Sequence, residues 1–283
     1  MKLYAISDLH LEQPINAQAL EALPTYPEDW LILAGDTCST IENLRFALIQ
    51  LTQRFAQVIW VPGNHELWTA IGDIEVRGSE KYHQLISVCH EFGVLTPEDP
   101  YPLWSGEGGR HYLIPLFILY DYSFRPDYIA LEYAVDWAKQ SGLVCTDEYY
   151  LDPSPYSSRI AWCQARCEYS EHRLQQIPPN IPRILINHYP LREDLVNLSR
   201  IPRFSIWCGT RRTENWHLRF EASTVVSGHL HIRSSHYRNG VRFEEVSLGY
   251  PRNWDQDQGI ERYLRQILPD PQTNPPPPLL RLP

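Results

Sequence analysis

Five short polar segments carry side chains able to bind metal: Asp8-Leu9-His10, Gly35-Asp36, Gly63-Asn64-His65-Glu66, His188 and Gly228-His229-Leu230-His231. Among them Asp8, His10, Asp36, Asn64, His188, His229 and His231 offer carboxylate, amide and imidazole donors. That is too many for one tetrahedral ion, so two ions are expected. A pair of divalent cations about 3.5 to 4 Å apart polarises a phosphoryl oxygen and lowers the pKa of bound water. The chemistry predicted is therefore hydrolysis of a phosphoester. Singly the segments say little, since a lone histidine such as His188 is more often an ordinary core or surface residue. Their weight lies in their order and in what precedes each of them.

What precedes them reads as strand. Lys2 to Ser7, Trp30 to Ala34 and Gln57 to Val61 are short apolar runs that end in polar turns. Between the second and third, Ile41, Leu44, Leu48 and Leu51 recur at spacings of three and four, which predicts a helix over roughly 40–56. Further helices are expected over about 79–92, 129–139 and 158–176. One or two strands are expected within 101–119, split by the glycine-rich turn at 106–109. Strands follow at 183–187, 224–227, 234–238 and 241–246, the last two joined by the hairpin signal Asn239-Gly240.

In an open α/β sheet the carboxyl ends of the strands share one edge, so the five segments converge there. An extended backbone would send residues i and i+2 to one side, pairing Asp8 with His10 and His229 with His231. The glycines beside Asp36, Asn64 and His229 suit tight turns and close backbone approach.

Composition narrows the class. In 283 residues, 43% are hydrophobic and 12% aromatic, which excludes disorder as the main state. A net charge of −9 argues against broad nucleic-acid binding. The densest apolar run, Leu113 to Leu119, is far short of the roughly 20 residues that a bilayer span needs. Asp8 comes too early for a signal peptide, so a cytoplasmic protein off the membrane is expected. Six cysteines without a Cys-x-x-Cys pair read as reduced thiols, with Cys163 and Cys167 as core residues of a helix.

With these motifs in place, Asp8-x-His10, Gly35-Asp36, Gly63-Asn64-His65-Glu66, His188 and Gly228-His229-x-His231 resemble the calcineurin-like metallophosphoesterase superfamily. The resemblance implies a four-layer α/β/β/α metallophosphoesterase sandwich with a dinuclear centre, usually of Mn, Fe or Zn. By the same resemblance, Asp8, His10, Asp36 and His231 hold one ion, and Asp36, Asn64, His188 and His229 the other, with Asp36 bridging. His65 matches the family's non-ligand histidine, which stabilises the phosphate or protonates the leaving oxygen, a role open to an imidazole as general acid. Many members have a second Asp three residues after the Gly-Asp acid, where this chain has Ser39, so Glu66 or solvent is left to orient His65. The domain is expected over 1–265, with 121–156 either an insertion near the site or a plain connector, and 266–283 a Pro-rich disordered tail.

The fold does not choose a substrate. Trp60 to Thr69 and Trp207 to His217 are similar to the bacterial branch that contains 4′-phosphopantetheinyl hydrolase, which strips the prosthetic arm from an acyl carrier protein. Arg200, Arg203, Arg211 and Arg212 read as a solvated face, as a local basic patch that would offset the overall charge against such an acidic partner, or, for Arg211 and Arg212, as a grip on a nucleotide phosphate. The alternatives are a nucleotide or cyclic-nucleotide phosphodiesterase and a catalytically inactive scaffold of the same fold. A scaffold should have lost ligands, whereas all seven positions here hold competent donors.

Overall fold

The computed structural model describes residues 1–69 and 76–271, so the Pro-rich run 275–278 lies outside the described residues. In chain order its elements are β1 (Leu3–Ile6), α1 (Pro14–Glu21), β2 (Tyr26–Ala34), α2 (Ile41–Thr52), β3 (Phe55–Val61), α3 (Asn64–Leu67) and α4 (Gly78–Glu91). The next are β4 (Leu103–Trp104), β5 (His111–Pro115), α5 (Ala134–Lys139), α6 (Asp147–Tyr150), α7 (Arg159–Leu174) and β6 (Arg183–Ile186). The last are α8 (Trp216–Arg219), β7 (Ala222–Ser227), β8 (Ser234–Arg238), β9 (Val241–Glu245) and β10 (Arg265–Leu268). They form a four-stranded sheet ordered β10-β1-β2-β3 and a six-stranded sheet ordered β4-β5-β6-β7-β9-β8.

Period-two alternation builds the layers. Leu3 and Ala5, Ile32 and Ala34, and Ile59 and Val61 form one buried core with Leu113, Ile184, Ile186 and Val226 of the second sheet. The residues between them, Leu31, Leu33, Val58 and Trp60, join Leu44, Leu48 and Leu51 of α2 instead. Leu185 and Val225 share that outer core with Trp162, Cys163 and Cys167 of α7. Both faces of each parallel strand are thus covered, which is why the strands read as unbroken apolar runs. The result is the expected mixed α/β sandwich of two sheets flanked by helices.

Local signals hold where they are strongest. Thr40 and Ser158 cap α2 and α7, accepting from the Asn43 and Ala161 N–H groups at 3.2 and 3.1 Å. Asn239 and Gly240 have φ of 54° and 80°, the left-handed pair that a two-residue hairpin requires. β4 and β5 pair antiparallel, so the 101–119 region holds two short strands. All six cysteines are free and buried. One boundary moves: Arg265–Leu268 pair with β1 as β10, so residues 266–268 belong to the sheet rather than to the tail. Among the described residues no helix is long and apolar enough to cross a membrane.

Candidate metal centre

β1, β2, β3, β6 and β7 all deliver their following residues to one edge, but not by the extended geometry that alternation suggested. β1 stops at Ile6, and Asp8, His10, Asp36, His229 and His231 all have left-handed backbones, with φ between 44° and 72°. Such a conformation costs a non-glycine residue about 1–2 kcal/mol, and it is held here by bonds between the turns themselves. Asp8 N–H donates to the Gly35 carbonyl at 2.9 Å, His10 N–H to that of Asp36 at 3.1 Å, and Gly228 N–H to that of His188 at 2.8 Å. The turns pack tightly enough that a Cβ on Gly63 would run into the Asp36 carboxylate, and one on Gly228 into Asp8 and Ser7.

Three overlapping donor clusters result: Asp8 with His10 and His231, His10 with Asp36 and His65, and Asp36 with His188 and His229. Within each, the ligand atoms lie no more than 4.8 Å apart, and Asp36 is common to the last two. His10 Nε2 and His231 Nε2 approach to 3.0 Å, and His231 Nε2 is 3.0 Å from Asp8 Oδ1. His188 Nε2 sits 3.3 Å from Asp36 Oδ2. Its Nδ1 must be the protonated nitrogen, because it donates to the Ala34 carbonyl at 3.0 Å, leaving Nε2 to face the site. Asn64 Nδ2 donates to Asp147 Oδ1 at 2.9 Å, which assigns its other amide atom, Oδ1, as an acceptor.

These residues fit divalent ions. Asn64 Oδ1, His188 Nε2, His229 Nε2 and His10 Nδ1 are buried polar atoms with no hydrogen-bond partner, an arrangement that is costly unless something else binds them. Burial alone would raise the Asp8 carboxyl, yet the His231 imidazole holds it well below the usual carboxylate range. Asp36 is held low in the same way against burial, by His188 and His65. Burial pushes His10 and His229 down to about 3, so both keep a neutral ring with a free lone pair. Burial also opposes charge on His188, but Asp36 lifts it to about 10. A divalent ion beside each carboxylate would supply the positive charge that the neighbouring imidazoles otherwise offer.

Around these donors, Ser7 and Ser247 donate to Asp8 Oδ2 at 2.6 and 2.7 Å, and His229 N–H donates to it at 3.0 Å. Glu66 does not orient His65. Its carboxylate accepts instead from the Asp36, Thr37 and Gly63 N–H groups at 3.0, 2.7 and 2.9 Å, tying the turn after β2 to the turn after β3. Three backbone donors converge on that carboxylate, and this decides its position. Ser39 itself meets His65, with Oγ 3.3 Å from Nδ1, and the Trp68 ring lies 3.7 Å from the His65 ring.

Sequence reasoning missed Asp147, which reaches Asn64 from the loosely patterned segment 121–156; no local periodicity or motif marks it. Arg211 and Arg212 lie outside the three donor clusters. Arg211 is engaged by Glu193 and Asp127, both at 2.6 Å, and Arg212 lies 3.7 Å from Asp121.

Residues 1–233 match the family model described as calcineurin-like phosphoesterase. The chain is 46% identical over 276 residues, 96% of its own length and 85% of the relative's, to the acyl-carrier-protein phosphodiesterase PptH of Mycobacterium tuberculosis. It also superposes on the crystal structure of phosphopantetheinyl hydrolase (PptH) from that organism with a TM-score of 0.92 at 45% identity, covering 97% of this chain and 98% of that one. With the motifs, the layered fold and the clustered donors in agreement, the chain belongs to the calcineurin-like phosphoesterases, metal-dependent hydrolases of phosphoric esters.

Proposed function

We propose that this enzyme holds two divalent ions and removes 4′-phosphopantetheine from an acyl carrier protein in the cytoplasm. The observation that carries the reading is likeness to a relative bearing that activity in its name, at 46% identity over nearly the whole chain. The donors fit two ions: Asp8, His10 and His231 cluster, as do Asp36, His188 and His229, and with Asn64 Oδ1 unpartnered we assign Asp8, His10, Asp36 and His231 to one ion and Asp36, Asn64, His188 and His229 to the other. When bound, the ions, with manganese the first to try against iron or zinc, would supply a water of lowered pKa and neutralise phosphoryl charge.

The chain's own residues would do the rest. Asn64, its amide fixed by Asp147, has Oδ1 unpartnered and would offer it to the second ion. His65, 3.9 Å from Asp36 Oδ2 and packed by Trp68, would give a proton to the departing alkoxide. Water adds to phosphorus, the ester bond to the carrier hydroxyl breaks, and the products are a phosphomonoester and the free carrier alcohol. Arg211 and Arg212 are assigned to the carrier side. Their pairing with Glu193, Asp127 and Asp121 holds them in place as ion pairs rather than free cations.

The test is intact-mass spectrometry of a holo acyl carrier protein incubated with manganese-loaded enzyme, with Asp36→Asn as control. Loss of the phosphopantetheine mass only with the parent supports the reading. Cleavage of cyclic nucleotides or bis-p-nitrophenyl phosphate alone would overturn the carrier-protein assignment. Absence of any Asp36-dependent cleavage would favour a scaffold.

A further inference from the structure

We infer that Asp147 is a positioning residue that sets both the amide of Asn64 and the ring of His65 through a single carboxylate oxygen. The inference rests on the reading of Asn64 as a metal ligand and His65 as the proton donor. Asp147 Oδ1 accepts from Asn64 Nδ2 at 2.9 Å and from the Trp68 indole N–H at 2.6 Å. That indole packs on His65 at 3.7 Å between ring centres, and Trp68 N–H donates to the His65 carbonyl at 3.2 Å. Moving one oxygen would therefore move a ligand and a proton donor together.

The surroundings of Asp147 are arranged to hold it in place. The residue is fully buried, although α6 is only four residues long and lies in a segment of irregular structure. Arg159 anchors that turn from α7, donating to the Asp147 carbonyl at 2.8 Å, the Leu151 carbonyl at 3.0 Å and Glu148 Oε2 at 2.9 Å. Trp207 donates to Glu148 Oε1 at 2.7 Å, and Thr69 N–H donates to the Tyr150 carbonyl at 2.9 Å. Burying a carboxylate is costly, and a side chain kept only for stability would share its bonds with the scaffold. Both side-chain bonds of Asp147 go instead to the Asn64-His65-Glu66-Leu67-Trp68 stretch, and its second oxygen, Oδ2, has no hydrogen-bond partner. The segment 121–156 thus contributes a support for the site, reached across 83 residues of sequence.

The experiment compares manganese-loaded parent, Asp147→Asn, Asp147→Ala and Trp68→Phe. It reads kcat and KM on bis-p-nitrophenyl phosphate, metal per chain after dialysis, and thermal unfolding. Asp147→Ala is expected to lower kcat by about 10- to 100-fold with KM little changed, and to lower the metal content. Asp147→Asn restores most of both, because an amide oxygen still accepts from Asn64 and Trp68. Trp68→Phe lowers kcat about fivefold at parental metal content, since it loses one hydrogen bond to the His65 arm only. A folded Asp147→Ala with parental kcat and metal content overturns the inference, as does an Asp147→Asn no better than Asp147→Ala. Should Asp147→Ala not fold, an unchanged kcat in Trp68→Phe overturns it. A parent that neither binds metal nor hydrolyses the diester sinks the metal-centre reading, and the inference with it. An active parent indifferent to Asp147 sinks the inference alone.

Discussion

Replacing Gly35 with alanine should cripple the centre without replacing any of the proposed ligands. Gly35 has φ +84°, and a Cβ there would lie 2.7 Å from Gly63 N and 2.7 Å from His188 Nδ1, where ordinary contact begins at 3.4 Å. Neither neighbour yields easily. One is backbone of the turn that carries Asn64, and the other is a ring nitrogen bonded to the Ala34 carbonyl at 3.0 Å. Relief of about 0.7 Å on the His188 side breaks that bond, at about 1 kcal/mol. The left-handed alanine adds about 1 kcal/mol, for a total of about 2 kcal/mol. Because a 1 Å misplacement costs about 10²-fold, kcat should fall between about 10- and 100-fold. Gly93 is the control: its φ is +68° but nothing lies within 4 Å of its would-be Cβ. Gly93→Ala should lose only the backbone contribution, about 1 kcal/mol, and keep parental kcat. Urea unfolding and manganese-dependent hydrolysis of bis-p-nitrophenyl phosphate measure both effects. A Gly35→Ala enzyme indistinguishable from Gly93→Ala would refute the argument from packing.

Asp36→Asn removes the charge shared by two donor clusters and should lower kcat by more than about 100-fold with loss of bound metal, read by elemental analysis. His65→Ala should lower kcat by about 10²- to 10⁴-fold while metal content stays parental, which would separate the proposed proton donor from the proposed ligands. In the metal-free chain, Asp36 raises His188 from 6.5 to about 10. The stability this contributes is fully present below pH 6.5 and is lost as pH rises toward 10. The melting temperature of chelator-treated protein should therefore fall across that window, and manganese-loaded protein should not follow it.

The strand ends and their cargo were legible because parallel strands buried on both faces leave long apolar signatures and because sheet topology alone brings their ends together. Glycines 35, 63 and 228 were legible for the same reason: each sits where two turns nearly touch. Three things were not. The five left-handed backbones are set by contacts between turns far apart in sequence, so alternation gave the right convergence for the wrong geometry. Glu66, next to His65, invited a side-chain partnership, but three convergent backbone N–H groups outcompete one imidazole for a carboxylate. Asp147 sits in a four-residue helix held by Arg159 and Trp207, and no local pattern carries that information.

β10 has a consequence for the handling of this protein. It runs antiparallel along β1, matching Leu3 to Leu268, Tyr4 to Gln266 and Ala5 to Arg265. β1 leads directly to Asp8, and on its other side it already pairs with β2. Stripped of its last strand, the sheet would present a bare row of N–H and C=O groups beside buried apolar side chains, which is a template for adding a strand from another molecule. A chain shortened to remove the proline-rich end should therefore be cut after Asp270, where Arg242 still finds its carboxylate, and not before Arg265. Cut too early, it would turn β1 from an interior strand of this sheet into an adhesive edge.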